Sequence, residues 1–176
     1  MFIDGREVIF QTVHGSRLYG LSHSGSDNDR YIVTTGDYRP RHDVTGESDT
    51  VMVGFPRFLR YAQMGSHQSV EALFSPLKGW HSRRDQIEPH LLQMRIGGPV
   101  VAAKYERTIH AFCHGDFKRR RHAARLSFNL ADLRRYGRFS PIMLQDDIQL
   151  ATELATQLEG DDLWHALLDM TRATSI

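Results

Sequence analysis

The chain has 176 residues, 40% of them hydrophobic and 24% charged, and a formal net charge of +1. That length suits one domain that buries its core without staples, and the composition excludes a wholly disordered chain. No apolar run reaches the roughly 18 residues of a membrane helix, Met1 to Phe10 does not read as a signal peptide, and the single cysteine, Cys113, excludes an internal disulfide framework and fits a reducing cytoplasm.

In chain order, Glu7 to Val13 reads as a strand carrying Val8, Ile9, Phe10 and Val13. Tyr31 to Thr35 and the brief Val51 to Val53 are the next β-type runs, and the glycines at 15, 20, 25, 36, 46 and 54 mark turns between them. Pro56 stands where a helix can begin, with Phe58, Leu59 and Ala62 at helical spacing. The second half is helical in pattern. Val100 to Phe112 follows Gly97-Gly98-Pro99, and Asp116 can cap a helix that runs to about Tyr136 and stops at Gly137. Ile148 to Leu158 and Leu163 to Met170 repeat their apolar residues every three or four positions. Strands first and helices after predict an α+β fold in one domain over 1–176, with a sheet region over 1–80 and a helical region over 97–176.

Charge is segregated in that helical half. Between Phe117 and Arg138 stand Lys118, Arg119, Arg120, Arg121, Arg125, Arg134, Arg135 and Arg138 against one acid, Asp132, whereas Asp146 to Asp169 holds seven acids and no lysine or arginine. One reading is a pair of solvated faces that neutralise each other; the other is an anion-binding helix followed by an acidic element.

The stretch richest in chemistry is Val13-His14-Gly15-Ser16-Arg17-Leu18-Tyr19-Gly20-Leu21, followed by Ser26-Asp27-Asn28-Asp29-Arg30. An apolar strand ends at Gly15-Ser16, where a helical turn can start. Glycine lets a ligand approach the backbone, and the turn offers a hydroxyl and unpaired N–H groups to a phosphate. Asp27 and Asp29 are two residues apart, so on a strand they point to one side. Carboxylates so placed repel unless a cation lies between them, and hard oxygen ligands of this kind suit Mg²⁺ that bridges to substrate phosphates.

These residues resemble the signature of the polymerase-beta-like nucleotidyltransferases: Gly15-Ser16, a spacer, then Asp27-x-Asp29. The fuller string is similar to the stand-alone predicted nucleotidyltransferase branch, some of whose members are encoded beside RNA repair genes. The resemblance extends through Asp49-Thr50-Val51-Met52-Val53, Phe58-Leu59-Arg60 and Val70-Glu71-Ala72-Leu73-Phe74-Ser75 to Lys118, His122 and Arg125, and so spans residues 8 to about 140. The residue between the aspartates, usually apolar in that family, is Asn28 here.

The resemblance implies a small mixed sheet packed on helices. It also implies transfer of a nucleoside monophosphate from a triphosphate such as ATP to an acceptor hydroxyl on a nucleic acid end, a protein or a small molecule, with two Mg²⁺ ions (Mn²⁺ as the alternative) held by three carboxylates. Asp27 and Asp29 are two of these. Asp49, heading the Val51 to Val53 run, is the first choice for the third, with Glu47 and Glu71 as rivals. Gly15, Ser16 and Arg17 are the expected nucleotide-binding turn. Lys118, His122 and Arg125, at i, i+4 and i+7, form one helix face that could meet the triphosphate. The competing class is a noncatalytic nucleic-acid-binding or regulatory module on the same fold. A zinc site is not expected: His110, Cys113 and His114, with His122 following, include one cysteine and fit no established zinc spacing. Tyr19, Tyr31, Phe55, Phe58 and Tyr61 read as core aromatics rather than base-stacking platforms.

Overall fold

Six strands build the sheet of the computed structural model, which describes residues 1–21, 27–45 and 48–173. The chain divides into two compact units: Met1–Gln63 with Gln68–Met94 and Ser140–Ile142, and Met64–His67 with Arg95–Phe139 and Met143–Ile176. The fold is α+β, with eight helices among the described residues, none of them long and apolar enough to cross a membrane.

The first unit holds the sheet: β1 (Phe2–Ile3), β2 (Arg6–Val13), β3 (Arg30–Thr34), β4 (Arg41–Thr45), β5 (Ser48–Gly54) and β6 (Gly79–Trp80). Their order is β1-β2-β3-β5-β4, with β6 also on β2. β3 and β5 are parallel and every other pair is antiparallel. The run Val8-Ile9-Phe10 is buried without alternation because a bulge interrupts the pairing of β2 with β3 between Val8 and Phe10. The bulge turns Val8 to one face, with Ile32 and Met52, and Phe10 to the other.

On that other face lies α2 (Phe55–Gln63), which starts at Phe55-Pro56 as the proline signal predicts. Its buried Phe58 meets Phe10 edge-on at 5.5 Å and Tyr31 at 6.2 Å. Removing Phe58 would open this layer at a cost of about 3–5 kcal/mol. Next, α3 (His67–Phe74) places Ser69 2.8 Å from the Tyr31 hydroxyl, and burial pushes that phenol up to about 12. Of the expected core aromatics, Tyr19, Tyr31 and Phe58 are fully buried and Phe55 and Tyr61 half-buried.

Two elements of this unit have no apolar signature. β4 is a charged, exposed edge strand, and its Arg41, His42 and Asp43 discourage pairing with another chain. Helix α4 (Arg84–Gln93) contains Pro89 and buries only Leu91. The four-residue α1 (Ser16–Tyr19) forms the expected turn after β2, closed by Gly20 at φ 79°.

The second unit is four helices: α5 (Pro99–Cys113), α6 (Phe117–Tyr136), α7 (Gln145–Gln157) and α8 (Gly160–Ala173). α5 starts at Pro99 and buries Val101, Tyr105, Ile109 and Cys113, one stripe at four-residue spacing. α6 is the central helix and touches the other three. The Asp116 carboxylate accepts from Arg119 N–H at 2.9 Å, and Gly137, at φ 68°, donates to the Leu133 carbonyl, so both predicted ends are found. Ala151 and Ala155 of α7 and Leu163 and Leu167 of α8 complete the core.

Candidate functional site

The Gly15-Ser16 turn, Asp29 and the start of β5 converge in the first unit. Gly15 has φ 66° and ψ −153°, a conformation that only glycine adopts readily. A Cβ at this position would overlap the Asp29 carboxylate, so the missing side chain is what lets that carboxylate lie against the turn. Backbone bonds hold the approach: His14 N–H donates to the Asp29 carbonyl at 2.9 Å, and Leu18 N–H to the Gly15 carbonyl at 3.0 Å.

The other oxygen of Asp29 faces β5. Asp49 N–H donates to Asp29 Oδ1 at 3.3 Å. The parallel register Arg30↔Thr50 sets the preceding residues, Asp29 and Asp49, level on neighbouring segments. Asp49 Oδ1 is buried and makes no hydrogen bond; His42 Nδ1, on the adjoining edge strand, lies 3.5 Å from it. Asp49 thus offers a buried oxygen without a hydrogen bond beside the segment that carries Asp29, and carboxylate oxygens are the donors a hard divalent cation takes, although Asp27, Asp29 and Asp49 do not gather into one cluster of ligand atoms within 4.8 Å.

Asp27 and Asp29 are not on a strand, because β3 begins at Arg30. The reason lies in what takes the backbone: Arg17 Nε donates to the Asp27 carbonyl at 3.1 Å and Ser48 Oγ to the Asn28 carbonyl at 2.8 Å. Side chains thus bind the backbone of 27–28 where a neighbouring strand would, and Asp27 is exposed. Asn28 and Arg30, which flank Asp29, line a cleft of about 260 Å³ together with Gln11 and Thr12. Glu71 is fully buried and accepts from the Tyr19 hydroxyl at 2.5 Å, with His14 Nδ1 3.8 Å away, so it anchors α1 from within the core. Glu47, like Ser26 and the glycines at 25 and 46, lies outside the described residues.

Lys118, His122 and Arg125 fall on α6 at the expected spacing. Lys118 is exposed, whereas Arg125 is 2% exposed and its Nε donates to His122 Nδ1 at 3.4 Å. The face is therefore not uniformly open to solvent, as a surface phosphate grip would be; burial takes Arg125 inward. Other members of the basic run are engaged within the unit. Arg120 bonds the Ala155 and Gly115 carbonyls and pairs with Glu159, and Arg134 reaches Thr171 and Glu106. Of these, the Arg120–Glu159 pair joins the basic to the acidic segment, whereas Glu106 lies on α5, outside the acidic run.

Of the histidine cluster, Cys113 is buried, and desolvation together with the charge of Asp161 pushes its thiol up to about 11, so it is neither a nucleophile nor a ready thiolate ligand. Sequence spacing missed Asp161, which the fold brings to His110 and His114 from another helix. No family model and no curated protein matches this chain.

Proposed function

We propose that the chain is a cytoplasmic, Mg²⁺-dependent nucleotidyltransferase, moving a nucleoside monophosphate from a nucleoside triphosphate to an acceptor hydroxyl. The observation that supports this most is the approach of the Asp29 carboxylate to both the Gly15 backbone and the Asp49 backbone, beside the buried, unbonded Asp49 oxygen. Asp29 and Asp49, joined by Asp27, would hold the metal, which when bound neutralises phosphate charge and acidifies the acceptor hydroxyl. In the reaction the acceptor oxygen bonds the α-phosphorus, the bond to the departing pyrophosphate breaks, and the acceptor proton passes to a carboxylate of the trio. The Gly15-Ser16-Arg17 turn presents backbone N–H groups and a hydroxyl to the phosphates. Arg17 also holds the Asp27 loop through its carbonyl, which keeps the carboxylates beside the turn. The resemblance assigns Lys118, His122 and Arg125 to the triphosphate as well, and Lys118 is the exposed member of that set.

The test offers each α-labelled triphosphate, with Mg²⁺ or Mn²⁺, to RNA, DNA, protein and small-metabolite pools. Label should move to one acceptor class with the wild type and not with Asp29→Asn. A triphosphate should also raise the wild-type Tm only when Mg²⁺ is present, because a ligand of the folded state stabilises it by mass action. Undiminished transfer by Asp29→Asn would sink the reading, as would a wild type that no Mg²⁺–triphosphate pair stabilises.

A further inference from the structure

We infer that His110, His114 and Asp161 form a second metal site, selective for a borderline transition ion such as Zn²⁺, that clamps the end of α5 to the start of α8. The site lies wholly within the helical unit and does not depend on the nucleotidyltransferase reading.

The geometry comes from three elements of local structure. His110 and His114 stand four apart at the C-terminal end of α5, the second as its C-cap, so their rings meet edge to face on one side with centroids 4.9 Å apart. Gly160, at φ 57°, opens α8 and puts Asp161 in its first turn. Asp161 Oδ1 then lies 3.4 Å from His114 Nε2 and 3.7 Å from His110 Nε2, and the three donor atoms are all within 4.8 Å of one another. Trp164, one turn further along α8, sits edge-on to His110 at 5.4 Å and restricts that ring.

The spacing is the argument. An N–H···O bond closes to 2.7–3.2 Å, and neither histidine comes so near the carboxylate. A tetrahedral ion with bonds of about 2.0–2.1 Å holds its ligand atoms roughly 3.3 Å apart; the 3.4 Å from His114 matches that value, the 3.7 Å from His110 is somewhat longer, and the whole trio stays within 4.8 Å, so a small ring rotation on the exposed side chains would close it on an ion. Two imidazoles and one carboxylate suit Zn²⁺, Cu²⁺ or Ni²⁺, whereas Mg²⁺ seeks oxygen alone, so this set and the Asp29–Asp49 set select different ions. All three residues are exposed, which leaves a fourth position to water or an incoming group. Cys113 lies between the histidines in sequence but points into the core, so it is not a ligand.

The experiment uses the untagged full chain, stripped with a chelator and kept in excess Mg²⁺ so that the hard site does not compete. Zn²⁺ is titrated by calorimetry at neutral pH, Co²⁺ by visible absorption, and Ni²⁺ by quenching of tryptophan fluorescence, in the wild type and in a Trp80→Phe variant that leaves Trp164 as the one emitter. The wild type should bind one Zn²⁺ per chain, show the d–d bands of low-coordinate Co²⁺, and gain Tm with Zn²⁺. His110→Gln with His114→Gln, and separately Asp161→Asn, should weaken Zn²⁺ binding roughly tenfold or more and abolish the Zn²⁺-dependent gain in Tm. His165→Gln, an exposed histidine of α8 outside the trio, should bind as the wild type does. If Asp161 serves only the helix dipole, Asp161→Asn lowers Tm equally with and without Zn²⁺. That outcome overturns the proposal, as does a wild type that binds no Zn²⁺ or binds it no better than the double variant. The Co²⁺ and Ni²⁺ readings on the wild type stand even if a variant fails to fold.

Discussion

Gly15 connects one backbone conformation to the chemistry of the site. An alanine there meets two penalties: a φ of 66° with extended ψ, and a Cβ overlapping the Asp29 carboxylate. Strain of this kind costs roughly 1–3 kcal/mol, and relieving it moves Asp29. Gly15→Ala should therefore lower both Tm and turnover, whereas Asp29→Asn should lower turnover with little change in Tm, since the amide oxygen still accepts from Asp49 N–H. Thermal melts and single-turnover rates on the two variants separate strain from charge. Asp49→Asn should resemble Asp29→Asn, and full activity in it would remove Asp49 from the trio. Lys118 and Arg125 separate in the same way. Lys118→Ala should raise KM for every triphosphate while leaving Tm unchanged, because the side chain is exposed. Arg125→Ala should cost about 2–3 kcal/mol of stability, because it empties a buried, hydrogen-bonded position. A Lys118→Ala variant with unchanged KM and turnover would take the helix out of donor binding.

At the scale of elements, legibility followed the strength of local signals. Asp116, Gly137 and Pro99 are caps and starts with a mechanism each, and α5 and α6 begin and end within a residue of where those signals put them. Asp116→Ala should accordingly cost about 1 kcal/mol, measurable as a lower urea midpoint, and Asp116→Asn should recover most of it. β4 and α4 were illegible because neither has an apolar period: one is a charged edge strand, and the other holds a proline and a single buried leucine. The site divides along the same line. Gly15, Ser16, Asp27 and Asp29 form one local motif and are readable as such. That Asp49 lies level with Asp29 depends on the parallel register of β3 with β5, a long-range pairing that no local spacing encodes. Glu71 looks like a carboxylate in reserve until burial and the Tyr19 hydroxyl fix it in the core. His110 and His114 were visible as a pair, but Asp161 joins them only once α5 and α8 pack.

Over the whole molecule, a net charge of +1 conceals two opposed segments, and the fold of the helical unit sets them against each other. Arg120 with Glu159 shows the arrangement, while Arg134 pairs with Glu106 of α5, outside the acidic run. Asp132 is the misfit, the one acid in the basic run. It shares the lining of a cavity of about 450 Å³ with Asp147 from the acidic run, beside the apolar Phe128, Leu150 and Met170. Burial, and next the charge of Asp147, raise its carboxyl above the ordinary aspartate value of 3.8, against a smaller opposing pull from Arg135. A raised carboxyl means that the folded chain holds this proton more tightly than the unfolded one. Its stabilising contribution is complete below the ordinary value and is lost as pH rises through the raised folded value. The ionised form of Asp132, which gains ground as pH rises, therefore opposes folding. Asp132→Asn should raise the denaturation midpoint near neutrality, and its advantage over wild type should shrink as the solution is acidified. Urea midpoints for both proteins, measured between about pH 4 and pH 8, test the sign directly, because comparing variant with wild type cancels the titration of every group that the two share. A variant less stable than wild type at neutral pH, or one whose difference does not change with pH, would show that Asp132 is held by its surroundings as an ordinary charged aspartate.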